Sequence, residues 1–320
     1  AAPALERAVQ AQPDSVMAWS ALGSAYRELG QWEPSEAAFL KAVKLAPGYS
    51  AGWLNLGAVM RLRGRADEAL ACFERAAVAG FRGPELGDAI AGALLDEGKV
   101  EQAIAQASRV TETHPGYVPG HVTLANLLWE YGPQVAPGRD AIAGFRDAVE
   151  AQPANLALTH EFARFLMAAR RPEEALDLVR HLRVKTDAPG LALMEAQALD
   201  ELGYPGQARA AFEAIGRGPL AKLPFFLNAY TRHLLRAGEW QAAAERAEQA
   251  TRVAPRHQEG WAYLGTAWRL LGDAREHWLC DYARLVANLR IETPAGYASL
   301  DEFLAVLRGR LDALHQAGRE

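Results

Sequence analysis

The chain has only two cysteines, Cys72 and Cys280, among its 320 residues. They lie far apart, so they offer neither a disulfide framework nor a zinc pattern, and we expect both to be buried. There is no long apolar run, although 50% of the residues are hydrophobic, so we expect no membrane partner. Positive charge is not in excess, because the formal net charge is -5. We therefore expect no nucleic-acid partner, since phosphate contacts need a basic surface.

The sequence also lacks a clear catalytic pattern. Neither G-x-x-x-x-G-K-S/T nor G-x-G-x-x-G follows a strand, which excludes the simplest nucleotide sites. His257 and Glu259 have the H-x-E spacing of an iron site, but they lie in a junction between helices, whereas such sites are normally built on a sheet. We expect this chain not to be an enzyme and to hold no metal or other cofactor. The first residues show no charged and apolar leader, which favours a cytoplasmic protein.

What the chain does have is a turn that returns about every 34 residues. It is closed by glycine, or by one arginine in glycine's place, at Gly30, Gly64, Gly98, Gly132, Arg170, Gly203, Gly238 and Gly272. The first full repeat has a W-x2-L-G-x2-Y pattern at Trp19, Leu22, Gly23 and Tyr26, and its second half continues through Ser35, Phe39, Ala42 and Pro47. This spacing predicts consecutive helix-turn-helix repeats.

The pattern resembles the tetratricopeptide repeat (TPR) family over nearly the whole chain. One position of the first helix stays small in every repeat while its neighbours are large, which chance periodicity would not produce: Gly23, Gly57, Ala91, Ala125, Ala163, Ala196, Thr231 and Gly265. The resemblance implies an all-α, right-handed superhelical solenoid of about eight repeats, with a concave groove that holds a partner. We expect a half-repeat at residues 1–14, the repeat array at 15–290 and a C-terminal capping or linker helix at 291–320.

One insertion interrupts this regularity in the fourth repeat. The segment from Gly132 to Gly138 carries two glycines and two prolines, which predicts a loop.

The resemblance also implies which residues face the groove, namely the second, fifth, ninth and twelfth positions of each first helix. The candidate binding residues read at these positions are Arg27, Leu54, Arg61, Asn126, Trp129, His160, Arg164, Met167, Asn228, Arg232 and Arg269. Five are arginines, which can grip a carboxylate through two hydrogen bonds, and we expect a protein or extended peptide partner, in particular an acidic one. The alternative is that these arginines only solvate exposed helix faces. Leu54, Trp129 and Met167 would provide apolar anchor contacts.

The tail carries a second resemblance. Its residues run through Trp278-Leu279-Cys280-Asp281-Tyr282 and Thr293-Pro294-Ala295-Gly296-Tyr297 to a helix opened by Ser299 and Glu302 and continuing through Phe303, Leu307, Leu311 and Leu314. It resembles the segment that joins TPR repeats to a 2-oxoglutarate- and iron(II)-dependent oxygenase domain in certain bacterial proteins. That resemblance implies an alternative function, a substrate-presenting region whose catalytic domain lies beyond Glu320. Self-association as a scaffold is a third alternative.

Overall fold

The computed structural model describes residues 2–285 and 291–317, apart from the side chains of Tyr282 and residues 313–317. In that part of the chain, the regular structure is entirely α-helical, and the predicted all-α repeat architecture is confirmed. The helices form two compact units, which we call unit 1 (up to Leu158) and unit 2 (Thr159–Ala317).

Each repeat consists of a first helix, the A-helix, and a second, the B-helix. The A-helices are α2 (Val16–Glu28), α4 (Ser50–Leu62), α6 (Pro84–Asp96), α8 (Val118–Val135), α10 (Leu156–Ala168), α12 (Pro189–Glu201), α14 (Pro224–Arg236) and α16 (Gln258–Leu271). The B-helices are α3 (Trp32–Leu45), α5 (Ala66–Val78), α7 (Val100–Thr113), α9 (Ala141–Ala151), α11 (Pro172–Lys185), α13 (Pro205–Ile215), α15 (Trp240–Val253) and α17 (Arg275–Leu279). Outside these pairs lie α1 (Ala2–Ala11), α18 (Tyr282–Leu285) and α19 (Leu300–Ala317).

The core of each unit forms where consecutive helices pack on one another. In unit 1, every helix from α1 to α9 packs on the next, and α2, α4, α6 and α8 also contact each other in order. In unit 2, the same holds from α11 to α17, with contacts along α12, α14 and α16. A single helix pair exposes its apolar stripe, so each repeat is stabilised mainly by its neighbours.

At Gly23 and Gly57, two of the predicted small positions, a side chain of the B-helix approaches the A-helix closely. An ideal Cβ built on Gly57 would lie within 3.0 Å of three ring atoms of Phe73, and one built on Gly23 would lie 2.9 Å from the ring of Phe39. Both phenylalanines are 0% exposed, so their rings cannot move aside into solvent. Full burial of such a ring contributes about 1.5 to 3 kcal/mol.

The turn between A-helix and B-helix uses a left-handed residue. Arg170, at φ 57°, is the one non-glycine with a positive φ among the described residues, which confirms that it takes glycine's place. The following amide closes a bond back to the A-helix, as in Arg171 N to Leu166 O (2.8 Å) and Tyr204 N to Leu199 O (2.9 Å). This geometry is that of a Schellman motif, which satisfies carbonyls that the helix end would leave unpaired.

The junction from one repeat to the next is held by a side chain that reaches back six residues. The indoles of Trp19, Trp53 and Trp261 donate to the carbonyl oxygens of Pro13, Pro47 and Pro255, at 2.8, 2.8 and 2.9 Å. In the fourth repeat, the Nε2 of His121 replaces the indole and bonds Pro115 O at 2.9 Å. Burial lowers the pKa of His121, although the bond to Pro115 opposes this shift.

The predicted loop from Gly132 to Gly138 is wrong in its first half. Helix α8 continues through Gly132 and Pro133 to Val135. Proline restricts the residue before it largely through that residue's Cβ, which Gly132 lacks, so the helix passes. It ends before Pro137, where Ala136 leaves the helical conformation, and the glycine with a positive φ in this turn is Gly138 (84°), not Gly132.

The end of the array is irregular. The last B-helix, α17, has only five residues, and Cys280 beyond it is partly exposed, so the expectation that both cysteines are buried is wrong for Cys280. Helix α19 forms where predicted, and Ser299 Oγ accepts from the amide of Glu302 (3.2 Å). Leu304, Val306, Leu307 and Leu311 of this helix are exposed, so this part of the helix does not bury these side chains on the repeats. No described helix combines the length and apolarity needed to span a membrane.

We predict that Gly57→Ala destabilises unit 1 because the added methyl overlaps the Phe73 ring, at a cost of about 1 to 3 kcal/mol. The matched control is Gly144→Ala in α9, where a Cβ meets nothing within 4 Å and the lower chain entropy adds about 0.5 to 1 kcal/mol. The unfolding midpoint, followed by circular dichroism, should therefore move in opposite directions. Equal midpoints would show that the A-helix can shift away from Phe73.

We predict that Arg170→Gly raises the unfolding midpoint of unit 2. A left-handed conformation costs a non-glycine residue about 1 to 2 kcal/mol, and glycine adopts it freely. Arg171→Gly, one residue further on and at φ -112°, should lower the midpoint because it adds entropy to the unfolded chain and removes the ion pair of Arg171 with Glu174. A lower midpoint for Arg170→Gly would mean that the arginine side chain stabilises the turn by more than the backbone strain costs.

Candidate functional site

The eleven candidate binding residues all lie on A-helices, but their exposure differs. Unit 1 carries Arg27, Leu54 and Arg61, which are half-buried, and Asn126 and Trp129, which are exposed. Unit 2 carries His160, Met167 and Arg232, which are half-buried, and Arg164 and Arg269, which are exposed. The eleventh, Asn228, is only 2% exposed. The structure does not test which of them bind a partner, so these assignments stay predictions.

Two arginines of unit 1 bridge successive A-helices. The Nη1 of Arg27 on α2 donates to Asn55 Oδ1 on α4 (3.1 Å), and the Nε of Arg61 on α4 donates to Asp96 Oδ2 on α6 (2.7 Å). A Cβ at Gly92 would collide with the guanidinium of Arg61, so this glycine lets the arginine lie flat across α6. Arg27 and Arg61 therefore tie neighbouring repeats together before any partner arrives.

The apolar candidate Trp129 lies six residues before the end of α8. Its side chain is 51% exposed and lines a pocket of about 370 Å³ together with Leu128, Pro133 and Gly138. An exposed indole beside a cavity can anchor an apolar side chain, because aromatic rings provide large contact areas.

In unit 2, several candidates already have partners. Arg164 pairs with Glu161 at 2.6 Å within α10, and Arg269 pairs with Glu276 at 3.0 Å. The Nδ2 of Asn228 donates to Glu259 Oε2 (2.8 Å) across α14 and α16. Asn228 would therefore act on a partner only through the placement of Glu259.

Unit 2 also contains a cavity that we call the charged pocket, with a volume of about 630 Å³. Its lining residues come from the ends of three A-helices and one turn: Met167, Ala168, Arg170, Pro172, Asp200, Glu201, Arg232 and Arg236. Only Met167 and Arg232 among the eleven candidates line it. A volume of this size is within the usual range of ligand sites, about 300 to 1,000 Å³.

One side of the charged pocket is fixed by a buried network. Asp200 Oδ1 lies 2.6 Å from Nδ1 of His233, and its Oδ2 accepts from Nη1 of Arg236 (3.0 Å). The side chains of Asp200 and His233 are 6% and 2% exposed, whereas that of Arg236 is 52% exposed. The imidazole of His233 also packs on the Phe212 ring, with centroids 5.2 Å apart. The network thus connects the aromatic core to the pocket wall.

The other side is held loosely. Arg232 Nη2 lies 3.9 Å from Glu201 Oε1, too far for a hydrogen bond. Its Nε is buried and has no hydrogen-bond partner among the described residues. Three arginines, Arg170, Arg232 and Arg236, face two carboxylates in the pocket lining, so the charge balance is positive. Arg232 can therefore still bind a carboxylate from outside the chain.

The sequence reading missed Glu201 and Arg236, which help form this pocket. They are the final residues of α12 and α14, both thirteen residues long, and Ala168 ends α10 in the same way. The groove positions implied by the resemblance end at the twelfth residue of each first helix, so the last residue of a thirteen-residue helix lies outside them. Pairing a last-turn arginine of one repeat with the last-turn acid of the repeat before would have found them. Within the described residues, no group of three His, Cys, Asp or Glu side chains is placed to hold a metal ion.

Comparison with known proteins finds a match over part of the chain. Residues 1–50, 21–84 and 232–276 match the sequence profile of the family described as tetratricopeptide repeat. Those matches include the first, second, seventh and eighth repeats of the structure, and the degenerate repeats between them are defined by their helices. No curated protein sequence matches the chain significantly.

Solved structures show the same fold. Yeast Tom70 is 14% identical over 89% of this chain and 61% of its own length, with a TM-score of 0.63. A tetratricopeptide repeat protein from Parabacteroides merdae is 15% identical over 79% of this chain and 98% of its own, with a TM-score of 0.53. YrrB, described as a TPR protein with an unusual peptide-binding site, is 12% identical over 82% of this chain and 98% of its own length. Its TM-score of 0.34 is too low for that site to be placed on this chain.

We predict that Asp200→Ala destabilises unit 2 by about 2 kcal/mol, because it leaves the buried His233 without its hydrogen-bond partner. The matched control is Glu201→Ala on the next residue, which lies 3.9 Å from Arg232 without a hydrogen bond, with an expected change within about 0.5 kcal/mol. Thermal unfolding of the two variants measures the difference. Similar midpoints would show that water replaces Asp200 as the partner of His233.

Proposed function

We propose that the chain is a scaffold that binds an extended segment of another protein along its A-helices, as its similarity to tetratricopeptide repeat proteins in sequence and fold suggests. The chain performs no chemistry in this proposal. Its A-helices provide the binding side chains, while the B-helices and the small A-helix positions hold the stack together.

The charged pocket of unit 2 is the observation that carries the proposal. It lies at the ends of three A-helices, and its cationic groups are only partly neutralised. Arg232 keeps donors for an incoming carboxylate, and Arg236 is half exposed while one of its nitrogens bonds Asp200. An acidic side chain of the partner fits this arrangement, because a charge-assisted hydrogen bond contributes about 1.5 to 3 kcal/mol.

Existing ion pairs do not prevent such binding. Arg164, for example, pairs with Glu161 at the surface of α10, and its side chain is 63% exposed. Exposed pairs of this kind contribute only about 0.2 to 1 kcal/mol, so a guanidinium can exchange Glu161 for a carboxylate of the partner at little cost. Met167 lies at the pocket edge and provides an apolar contact beside these charges. In unit 1, Leu54 and Trp129 are the corresponding apolar anchors.

The proposal predicts selective capture of acidic peptides. The test is fluorescence anisotropy of the full chain with two labelled peptides of equal length, one of alternating Glu and Leu and one of alternating Lys and Leu. We expect the Glu peptide to bind roughly tenfold or more tightly, and Arg232→Glu to remove that preference, since one charge-assisted contact accounts for such a factor. Binding should also weaken with added salt.

Arg256→Glu is the matched control for this experiment. Arg256 is exposed in the loop before α16, so the variant has the same net charge without altering the charged pocket. It should bind the Glu peptide like the unmodified chain. If Arg232→Glu and Arg256→Glu weaken binding of the Glu peptide equally, the effect comes from the overall charge and not from the charged pocket. If the Glu and Lys peptides bind the unmodified chain equally, the proposal of an acidic partner is wrong.

The oxygenase alternative adds a role to this function without replacing it. The repeats would then present a bound protein to a catalytic domain, and the proposal rests on the tail residues from Trp278 to Leu314 alone. The sequence of the parent protein after Glu320 tests it, because an oxygenase domain requires an H-x-D pair and a distant histidine on predicted strands.

A further inference from the structure

The last repeat lacks most of its second helix. Helix α17 has five residues, whereas the preceding B-helix, α15, has fourteen. As a result, α16 is incompletely covered, and its last residues Leu270 and Leu271 are 41% and 39% exposed. The A-helices α12 and α14 of the same unit are each followed by a B-helix of eleven residues or more.

Beside this gap lies a cavity of about 420 Å³, which we call the aromatic pocket. Its walls come from α15, α16 and α17: Glu248, Thr251, Arg252, Trp261, Leu264, Trp268, Arg275 and Trp278. The rings of Trp261 and Trp278 lie 6.3 Å apart, and Trp278 is 71% exposed. The two rings form a large apolar surface beside helices that are otherwise well packed. Such a surface commonly binds another apolar group.

The charges around the aromatic pocket already satisfy one another. Arg275 bonds Glu248 at 3.0 Å and Asp273 at 2.7 Å, and its guanidinium lies 4.7 Å from the centre of the Trp268 ring. Arg252 also pairs with Glu248, at 3.2 Å. Hydrogen bonding to Arg275 lowers the pKa of Asp273, so this pairing persists at neutral pH. An occupant therefore needs apolar side chains more than charge.

Helix α19 presents an apolar stripe of that kind. Leu304, Leu307 and Leu311 are spaced at i, i+3 and i+7, so they share one face, and they are 40%, 37% and 46% exposed. Phe303 is already occupied by the ring of Tyr297, with centroids 5.1 Å apart. The helix is thus formed and capped, but its leucine stripe is not covered by any described element.

We propose that α19 docks its leucine stripe into the aromatic pocket of the same chain and takes the place of the missing second helix. The fourteen residues from 286 to 299 can reach up to about 45 Å when extended, so chain length permits the contact. Attachment to the same chain gives the stripe a high effective concentration at the pocket. Docking would cover Trp278 and the leucines together, and thereby complete the last repeat.

Hydrogen exchange measured by mass spectrometry on the full chain tests this docking. Amides of α19 should exchange at least tenfold faster in Leu307→Glu and in Leu311→Glu than in the unmodified chain. Trp278→Ala should give the same increase in α19, although it lies on a different element. Peptides from α2 to α14 should exchange unchanged in all variants, which shows that the array remains folded.

The control is Ala305→Glu, which introduces the same charge outside the leucine stripe of α19, about 100° or more around the helix from each leucine. It should leave the exchange of α19 unchanged. If α19 exchanges as a free helix in every variant, or if only the α19 substitutions and not Trp278→Ala increase it, the proposal is overturned. Protection that rises with protein concentration, with a doubled mass in light scattering, would also overturn it in favour of contact between two copies.

Discussion

The structure depends on one steric constraint: an A-helix must carry a small residue where the large side chain of a B-helix packs against it. Phe73 lies against Gly57 and Phe39 lies against Gly23, in both cases with no space for an added Cβ. Burial of these rings requires two helices from one repeat and a third from the next, because no pair covers its own apolar stripe. Helix order, turn length and the outward direction of the polar A-helix side chains all follow from keeping this contact in each repeat.

Features that depend on nearby residues could be predicted from the sequence. The small position, the left-handed turn residue and the proline at the repeat junction lie within one period, and the sequence shows each of them directly. Arg170 illustrates this well, because spacing alone indicates that it takes the place of glycine in the turn, and the structure places it at φ 57°. The wrong prediction of a loop at Gly132 has a similarly local cause. The sequence shows two neighbouring glycine-proline pairs, Gly132-Pro133 and Pro137-Gly138, but only the second ends the helix.

Features that depend on side-chain pairing between repeats could not be predicted in the same way. Arg61 and Asp96 are 35 residues apart, and Asp200 and His233 are 33 apart, so each pair brings together groups of two repeats. Position on the A-helix identifies a residue as facing outward, but it does not say whether a neighbouring repeat supplies its partner. The eleven candidate residues therefore include an arginine tied across two helices, Arg61, and an asparagine buried against Glu259, Asn228. The charged pocket was missed for the same reason, since it forms only where three helix ends meet.

The contrast between the two sides of the charged pocket suggests how stability and binding are separated in this chain. Asp200 is held by buried His233, so its replacement costs folding energy, and that wall keeps its position whether or not a partner is present. Arg232 is held only by a distant carboxylate, so it can turn toward a partner without disturbing the core. The cavity thus combines the firmly held carboxylate of Asp200 with the guanidinium of Arg232, which has no close ion-pair partner among the described residues. This combination favours an occupant that pairs with the arginine and avoids the aspartate. A single carboxylate on an extended backbone meets both conditions, whereas a cation would have to displace Arg236 from Asp200 first.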